Sequence, residues 1–74
     1  MPTINMIETG KNIKTIMKLN NIKIVQIQQI LGFNTPQAIY KWFRGEAMPT
    51  IDNMVVLAAT LNTTIDNLIV TETM

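Results

Sequence analysis

The chain has 74 residues, 47% of them hydrophobic, with a formal net charge of +1 and neither cysteine nor histidine. This length predicts one domain, residues 1–74, and these residue types exclude disulfides and metal sites built on thiolates or imidazoles. No apolar run approaches the ~20 residues that cross a bilayer, and residues 1–5 show no signal-peptide pattern. We therefore expect a cytoplasmic protein without metal, cofactor or membrane partner.

Apolar residues at helical spacing predict two helices in the first part of the chain, Met6–Leu19 and Ile24–Leu31. The side chains expected to face inward are Met6, Gly10, Ile13, Met17, Ile24, Ile27 and Leu31. Gly32 is expected to end the second helix as a left-handed cap. Glycine and proline are scarce and, apart from Gly10, fall between the periodic segments, which favours an all-helical domain with short turns.

A third helix is predicted to open at Thr35 or Pro36, because threonine is a good N-cap and proline is favoured at the first helical position. Its apolar face holds Ile39, Trp42 and Phe43. The opposite face holds Gln37, Lys41 and Arg44, with Tyr40 at its edge. Such a helix can pack its aromatic face against the core and place the opposite face, with its amide and two cations, in a DNA groove. With the preceding helix and short turn, this pattern is typical of helix-turn-helix DNA recognition.

Two further helices are predicted after a loop at 45–49, the fourth capped by Thr50 and the short fifth capped by Thr64. The inward-facing residues of the fourth are predicted to be Ile51, Met54, Val55, Ala58 and Leu61. Those of the fifth are predicted to be Ile65, Leu68 and Ile69. Short disordered tails are expected at 1–4 and 71–74.

Charge placement is more informative than total charge. All six cations lie between residues 11 and 44 with no acid among them, and four of the five acids follow residue 44. The cations are Lys11, Lys14, Lys18, Lys23, Lys41 and Arg44. A phosphate backbone responds to the local field, so the segregation favours a nucleic-acid partner over the alternative that these are ordinary solvated groups.

Five groups of residues then follow one another in a characteristic order. They are Ile27-Gln28-Gln29-Ile30-Leu31-Gly32, Ile39-Tyr40-Lys41-Trp42-Phe43-Arg44-Gly45, Pro49-Thr50, Leu57-Ala58 with Leu61, and Ile65-Asp66-Asn67-Leu68. Over roughly residues 7–70 the chain thereby resembles the lambda-repressor-like helix-turn-helix family, of the XRE or Cro type, and a bacterial subgroup of it. The resemblance implies a compact five-helix DNA-binding domain, with helices 2 and 3 as the helix-turn-helix, usually acting as a homodimer on a pseudo-palindromic operator.

Some positions depart from the pattern of that family. The turn between helices 2 and 3 is one residue longer, Lys23 replaces a Ser or Thr N-cap, Ile24 replaces a phosphate-binding Gln, and Gln28 replaces a closely packed Ala. The buried Arg–Glu pair of the family is matched by Met17 and Phe43. Replacing such a pair by apolar groups is often neutral or stabilising, and we predict that Met17 and Phe43 are in contact.

Gln37 is the first candidate for base readout, because its amide can pair bidentately with adenine in the major groove. Lys41 is expected to reach guanine acceptors or a phosphate, and Thr35 a phosphate or a thymine methyl group. The expected phosphate contacts are Tyr40, Arg44, Lys23 and the start of helix 4 at Thr50. Trp42 is expected to belong to the core.

The leading hypothesis is a sequence-specific regulator of transcription, a nucleoid-associated repressor that binds double-stranded DNA as a homodimer. The alternative is a protein-interaction module on the same fold, such as an antitoxin with a protein partner. An exposed apolar patch at Ile69 and Val70 would favour that alternative, although it would equally suit a homodimer interface. An enzyme is a poor third, because the chain lacks a nucleophile–base pair, a phosphate loop and paired carboxylates.

Overall fold

A computed structural model of the protein describes residues 1–73 and contains five helices and one small sheet in that part of the chain. The helices are α1 (Met6–Leu19), α2 (Ile24–Leu31), α3 (Gln37–Arg44), α4 (Ile51–Thr60) and α5 (Ile65–Leu68). The strands are β1 (Pro2–Ile4) and β2 (Thr71–Thr73). The predicted all-α, five-helix class is confirmed, and the sheet is a minor addition at the chain ends.

The helices start and stop where the local chemistry predicts. The side chains of Thr50 and Thr64 each accept a hydrogen bond from the backbone N–H three residues on, at 3.2 Å in both cases. Gly32 and Gly45 adopt φ values of 72° and 74° and end α2 and α3 as left-handed caps. The predicted bounds of α1 and α2 are confirmed.

The expected disordered tails are wrong for residues 2–4 and 71–73. These residues pair as antiparallel strands, with Thr3 opposite Glu72. A buried threonine fixes the strands to the helices: Thr9 Oγ1 accepts a hydrogen bond from the backbone N–H of Val70 at 2.9 Å and donates one to its carbonyl oxygen at 3.3 Å. The strands are too short and exposed to show an apolar alternation, so only the tertiary contacts determine them. The expectation for Met74 lies outside the described residues.

The core is formed mainly by α1, α3 and α4. Its buried side chains include Ile13, Ile27, Ile39, Trp42, Met54, Leu57, Leu61 and Leu68. The predicted inward face of α4 is wrong in part, because Ile51 is 73% exposed and Val55 is 55% exposed, whereas Leu57 is 1% exposed. Met54, Leu57, Ala58 and Leu61 form an equally periodic stripe, and packing against α2 and α5 selects it. Met6 is also exposed, contrary to its predicted inward position.

Candidate nucleic-acid interface

The turn between α2 and α3 is held by backbone and ring contacts. Gly32 donates a hydrogen bond to the carbonyl of Gln29 at 3.2 Å, and Phe33 donates one to that of Gln28 at 2.9 Å. This pair of hydrogen bonds ends α2 sharply and directs the chain into α3. The Phe33 ring then meets the Trp42 ring edge-on, with centroids 5.9 Å apart. The turn is therefore fixed to the helix that follows it.

The back of α3 is buried as predicted. Ile39 is 0% exposed and Trp42 is 3% exposed, while Phe43 is half-buried. On this side α1 crosses α3 at very short range, because a Cβ built on Gly10 would lie 1.9 Å from the carbonyl oxygen of Trp42. The two backbones approach this closely only because Gly10 has no side chain. Gly10 thus sets the position of α3 relative to α1.

The front of α3 faces solvent. Gln37 and Lys41 are exposed one helical turn apart, and no hydrogen bond or ion pair within residues 1–73 involves either side chain. Their polar groups are therefore available to an external partner. Tyr40 is 40% exposed at the edge of this face, with its ring 6.5 Å from the Phe43 ring, centroid to centroid.

The start of α3 differs slightly from the prediction. The helix begins at Gln37, with Pro36 in the N-cap position. The prediction places Pro36 at the first helical position, so the helix starts one residue later than predicted. Thr35 still accepts a hydrogen bond from the Gln37 backbone N–H, but at a long 3.5 Å. The Thr35 side chain stays exposed.

Arg44 at the end of α3 has an acidic neighbour. This neighbour was not predicted from the sequence, because the cations and the acids were considered as separate groups. The guanidinium of Arg44 forms an exposed ion pair with Glu46. The backbone N–H of Glu46 donates to the Lys41 carbonyl at 2.9 Å as part of the helix cap, which holds the residue beside Arg44. The spacing Arg-Gly-Glu, two residues apart across a glycine cap, is the sequence signal that predicts this pair.

The other cations surround the start of α2 and the exposed side of α1. Lys23 occupies the N-cap position of α2, and its backbone N–H donates to Gln26 Oε1 at 2.7 Å. This bond partly replaces the cap that a Ser or Thr would supply. The Lys14 ammonium lies 5.6 Å from the centroid of the Phe43 ring, and Lys11 pairs with Glu8 at 3.4 Å.

All seven predicted contact residues are exposed. They are Gln37, Lys41, Thr35, Tyr40, Arg44, Lys23 and Thr50. Five of them lie on α3 or in its turn, and Lys23 and Tyr40 line one cavity together with Met17 and Phe43. Thr50 begins α4 on a separate element, and no hydrogen bond or ion pair within residues 1–73 links it to the others. Neither Met17 nor Phe43 is in solvent, and their direct contact stays a prediction.

The helix-turn-helix family profile matches residues 13–68, which is more than half of the chain. The chain belongs to the helix-turn-helix family. The predicted lambda-repressor-like, XRE type is confirmed. Membership in this DNA-binding family supports DNA-binding transcriptional regulation as the general function of this helix-turn-helix protein. Domains of this kind are typically not enzymes.

A solved structure shares the fold of this helix-turn-helix chain. The crystal structure of the DNA-binding domain of BldD superposes with a TM-score of 0.70 at 14% sequence identity, over 88% of this chain and 93% of that chain. No curated protein matches the sequence. None of the helices described in residues 1–73 is long and apolar enough to cross a membrane, and no group of acidic side chains there is arranged to hold a metal ion.

Proposed function

We propose that this protein is a sequence-specific repressor that inserts α3 into the major groove of double-stranded DNA. The supporting observation is the contrast between the two sides of α3. On one side of the helix, Ile39 and Trp42 are buried in the core. On the opposite side, Gln37 and Lys41 are exposed, and their polar groups have no partner within residues 1–73. A rigid helix with free hydrogen-bonding groups at its N-terminal end is the geometry that base readout requires.

Gln37→Ala is expected to weaken binding to the best operator by ~1–3 kcal/mol and to relax specificity at about one base pair. The reason is that the amide can make two hydrogen bonds to adenine, and alanine makes none. Selection from random DNA gives the operator, and fluorescence anisotropy on that operator and its single-base variants measures the loss.

Lys11→Gln is the matched control for this measurement. Lys11 is exposed on α1 and paired with Glu8, and it is not one of the predicted contact residues. We expect this variant to leave the base preference unchanged. Equal losses for Gln37→Ala on the operator and on random DNA would contradict a readout role for Gln37.

Arg44→Ala is expected to weaken binding to all sequences alike and to lower the slope of log K against log salt by about one. Arg44 sits at the end of α3, where a phosphate contact carries no sequence information. Glu46→Gln is expected to act in the opposite direction, because it frees the guanidinium from its acidic neighbour. Salt titrations of the three proteins on random duplex DNA test both changes, and an unchanged slope in Arg44→Ala would rule out the phosphate contact.

We further propose that the protein acts as a homodimer through the exposed apolar side of α4. Ile51 and Val55 lie one turn apart and are exposed, and Ala59 continues the same side. Ile69 and Val70 do not form the patch expected from the sequence, because both are half-buried. Two-fold pairing of α4 would then place half-sites about one helical turn of DNA apart.

Val55→Asp is expected to convert the dimer to a monomer, because it places a charge in an apolar interface. Sedimentation equilibrium measures the mass, and selection from random DNA should then return single half-sites rather than palindromes. The mass of the wild-type protein decides between a homodimer and a module that binds a different protein. A monomer that dimerises neither free nor on DNA would contradict the homodimer and leave the α4 side for a different protein partner, as in an antitoxin.

A further inference from the structure

A cavity of about 510 Å³ opens between the second half of α1, the start of α2 and α3. Pockets for small molecules usually measure ~300–1,000 Å³, so this one is large enough for a ligand of modest size. We propose that it binds a small amphipathic carboxylate, which is an apolar aliphatic or aromatic body carrying one negative charge. Such a ligand would be a second binding partner of the protein, distinct from DNA.

The floor of the cavity is apolar. It is lined by Met17, Ile22, Ile24 and Phe43. Met17 is 3% exposed, and the other three are half-buried against the core, so the floor is packed from behind. An apolar body placed here leaves water without costing a polar group its hydrogen bonds. This floor selects for an aliphatic chain or an aromatic ring.

The rim of the cavity is cationic. Lys14, Lys18 and Lys23 line it, and no acidic residue does so within the described part of the chain. None of the three forms an ion pair with any residue from 1 to 73, and the Lys14 ammonium already lies over the Phe43 ring, 5.6 Å from its centroid. Three uncompensated positive charges over an apolar floor complement one anionic group on an apolar body.

This combination fits a small amphipathic anion better than the other possible occupants. A phosphodiester strand would satisfy the lysines, but it offers no apolar group to fill the floor. A second copy of the chain, related by a two-fold axis that passes through the cavity, would bring the two sets of lysines together, and like charges repel. Of these three occupants, only the amphipathic carboxylate matches both the floor and the rim.

The cavity also lies next to the proposed DNA contacts. Lys23 and Tyr40 line it and are two of the expected phosphate contacts. A carboxylate held by the same groups would compete with a phosphate for them. This consequence, unlike binding itself, rests on the proposed function: the ligand would lower the affinity of the protein for DNA, and DNA would lower its affinity for the ligand equally.

Octanoate is the probe, used below the concentration at which it forms micelles. We expect its NMR shifts to be confined to the cavity, with the Met17, Ile22 and Ile24 methyl groups moving most. Octan-1-ol should bind about tenfold more weakly and octylammonium not at all, because each lacks the charge that the rim selects. Shifts spread over the whole surface, or equal binding of octanoate and octan-1-ol, would overturn the proposal.

Two variants separate the charge requirement from the volume requirement. The double variant Lys14→Gln, Lys18→Gln should weaken octanoate about tenfold, whereas Lys11→Gln, which removes a charge from the same helix outside the cavity, should not. Val25→Trp should block the cavity; Val25 lines it and is 52% exposed, so the larger ring can be accommodated without disturbing the core. Unchanged octanoate binding in either cavity variant would overturn the site.

Competition is measured separately, by adding octanoate to a fluorescent complex of the protein with the selected operator. Displacement in the wild type, lost in Val25→Trp, supports the coupling of the two ligands. Octanoate that binds the free protein without displacing DNA contradicts the coupling and leaves the site standing. A protein that binds octanoate but no duplex DNA at all contradicts the proposed function instead, so the two failures are distinguishable.

Discussion

Trp42→Ala is expected to lower the free energy of unfolding by about 3–5 kcal/mol, the largest effect we predict for a single substitution. Trp42 is 3% exposed, and its ring meets the Phe33 ring edge-on at 5.9 Å. Truncation would remove the contact that fixes the turn to α3 and leave a void behind that helix. At ~0.05–0.15 kcal/mol per residue, a chain of 74 residues has about 4–11 kcal/mol in all. At the lower end of this range much of the variant would be unfolded near physiological temperature, and at the upper end it would lose about a third or more of its stability.

Urea denaturation followed by far-ultraviolet circular dichroism measures this loss, because the variant has no tryptophan fluorescence. Trp42→Phe is the conservative comparison, since a phenyl ring can still meet Phe33 and should cost clearly less. Leu19→Ala is the control for shortening an apolar side chain, and at 78% exposed it should change stability by no more than about 0.5 kcal/mol. A Trp42→Ala protein as stable as this control would show that the aromatic back of α3 is not its anchor.

The features predicted correctly from the sequence are those that local chemistry determines. The left-handed cap at Gly32 and the threonine caps of α4 and α5 each depend on a few adjacent residues. The two faces of α3 are also local, because three bulky apolar groups and three polar ones leave a single orientation of the helix. For the same reason the exposure of Gln37 and Lys41 follows from the residue pattern alone.

The features that the sequence did not reveal depend on contacts between distant segments. Thr9 joins α1 to Val70 across 61 positions, and nothing near either residue indicates that the chain ends pair. On α4, two apolar stripes compete, and only packing against α2 and α5 decides which one is buried. The cavity likewise needs three elements at once. These features arise only when distant segments pack together, so the apolar periodicity of one segment cannot predict them.

Gly10→Ala is the second substitution with a large expected effect. Two opposing contributions determine whether it raises or lowers the free energy of unfolding. Alanine favours a helix over glycine by ~1 kcal/mol, which would stabilise α1. Its Cβ, however, would lie 1.9 Å from the carbonyl oxygen of Trp42 and 2.9 Å from the carbonyl carbon. These are backbone atoms of a helix and cannot rotate away, so α1 and α3 must separate. Overpacking of this kind costs ~1–3 kcal/mol, and a clash with backbone atoms lies at the upper end of that range. After the gain of ~1 kcal/mol in helix propensity, we expect a net loss of about 2 kcal/mol.

Displacement of α3 should be visible in DNA binding as well as in stability. The carbonyl of Trp42 also accepts the hydrogen bond from Gly45 that caps α3, at 3.0 Å, so a shift there disturbs the end of the helix that carries Arg44. At a temperature where both proteins are folded, Gly10→Ala should bind the operator about tenfold more weakly than the wild type, because contacts to base edges tolerate little displacement.

Gly32→Ala is the matched control, because it adds the same methyl group at a glycine where that group meets no neighbouring atom. Gly32 has a φ of 72°, and no atom lies within 4 Å of an added Cβ. Its substitution should cost ~1 kcal/mol through backbone strain alone and leave operator affinity unchanged once the protein is folded. If Gly10→Ala were instead as stable as the wild type, with its affinity intact, the close crossing of α1 and α3 would not be what positions α3.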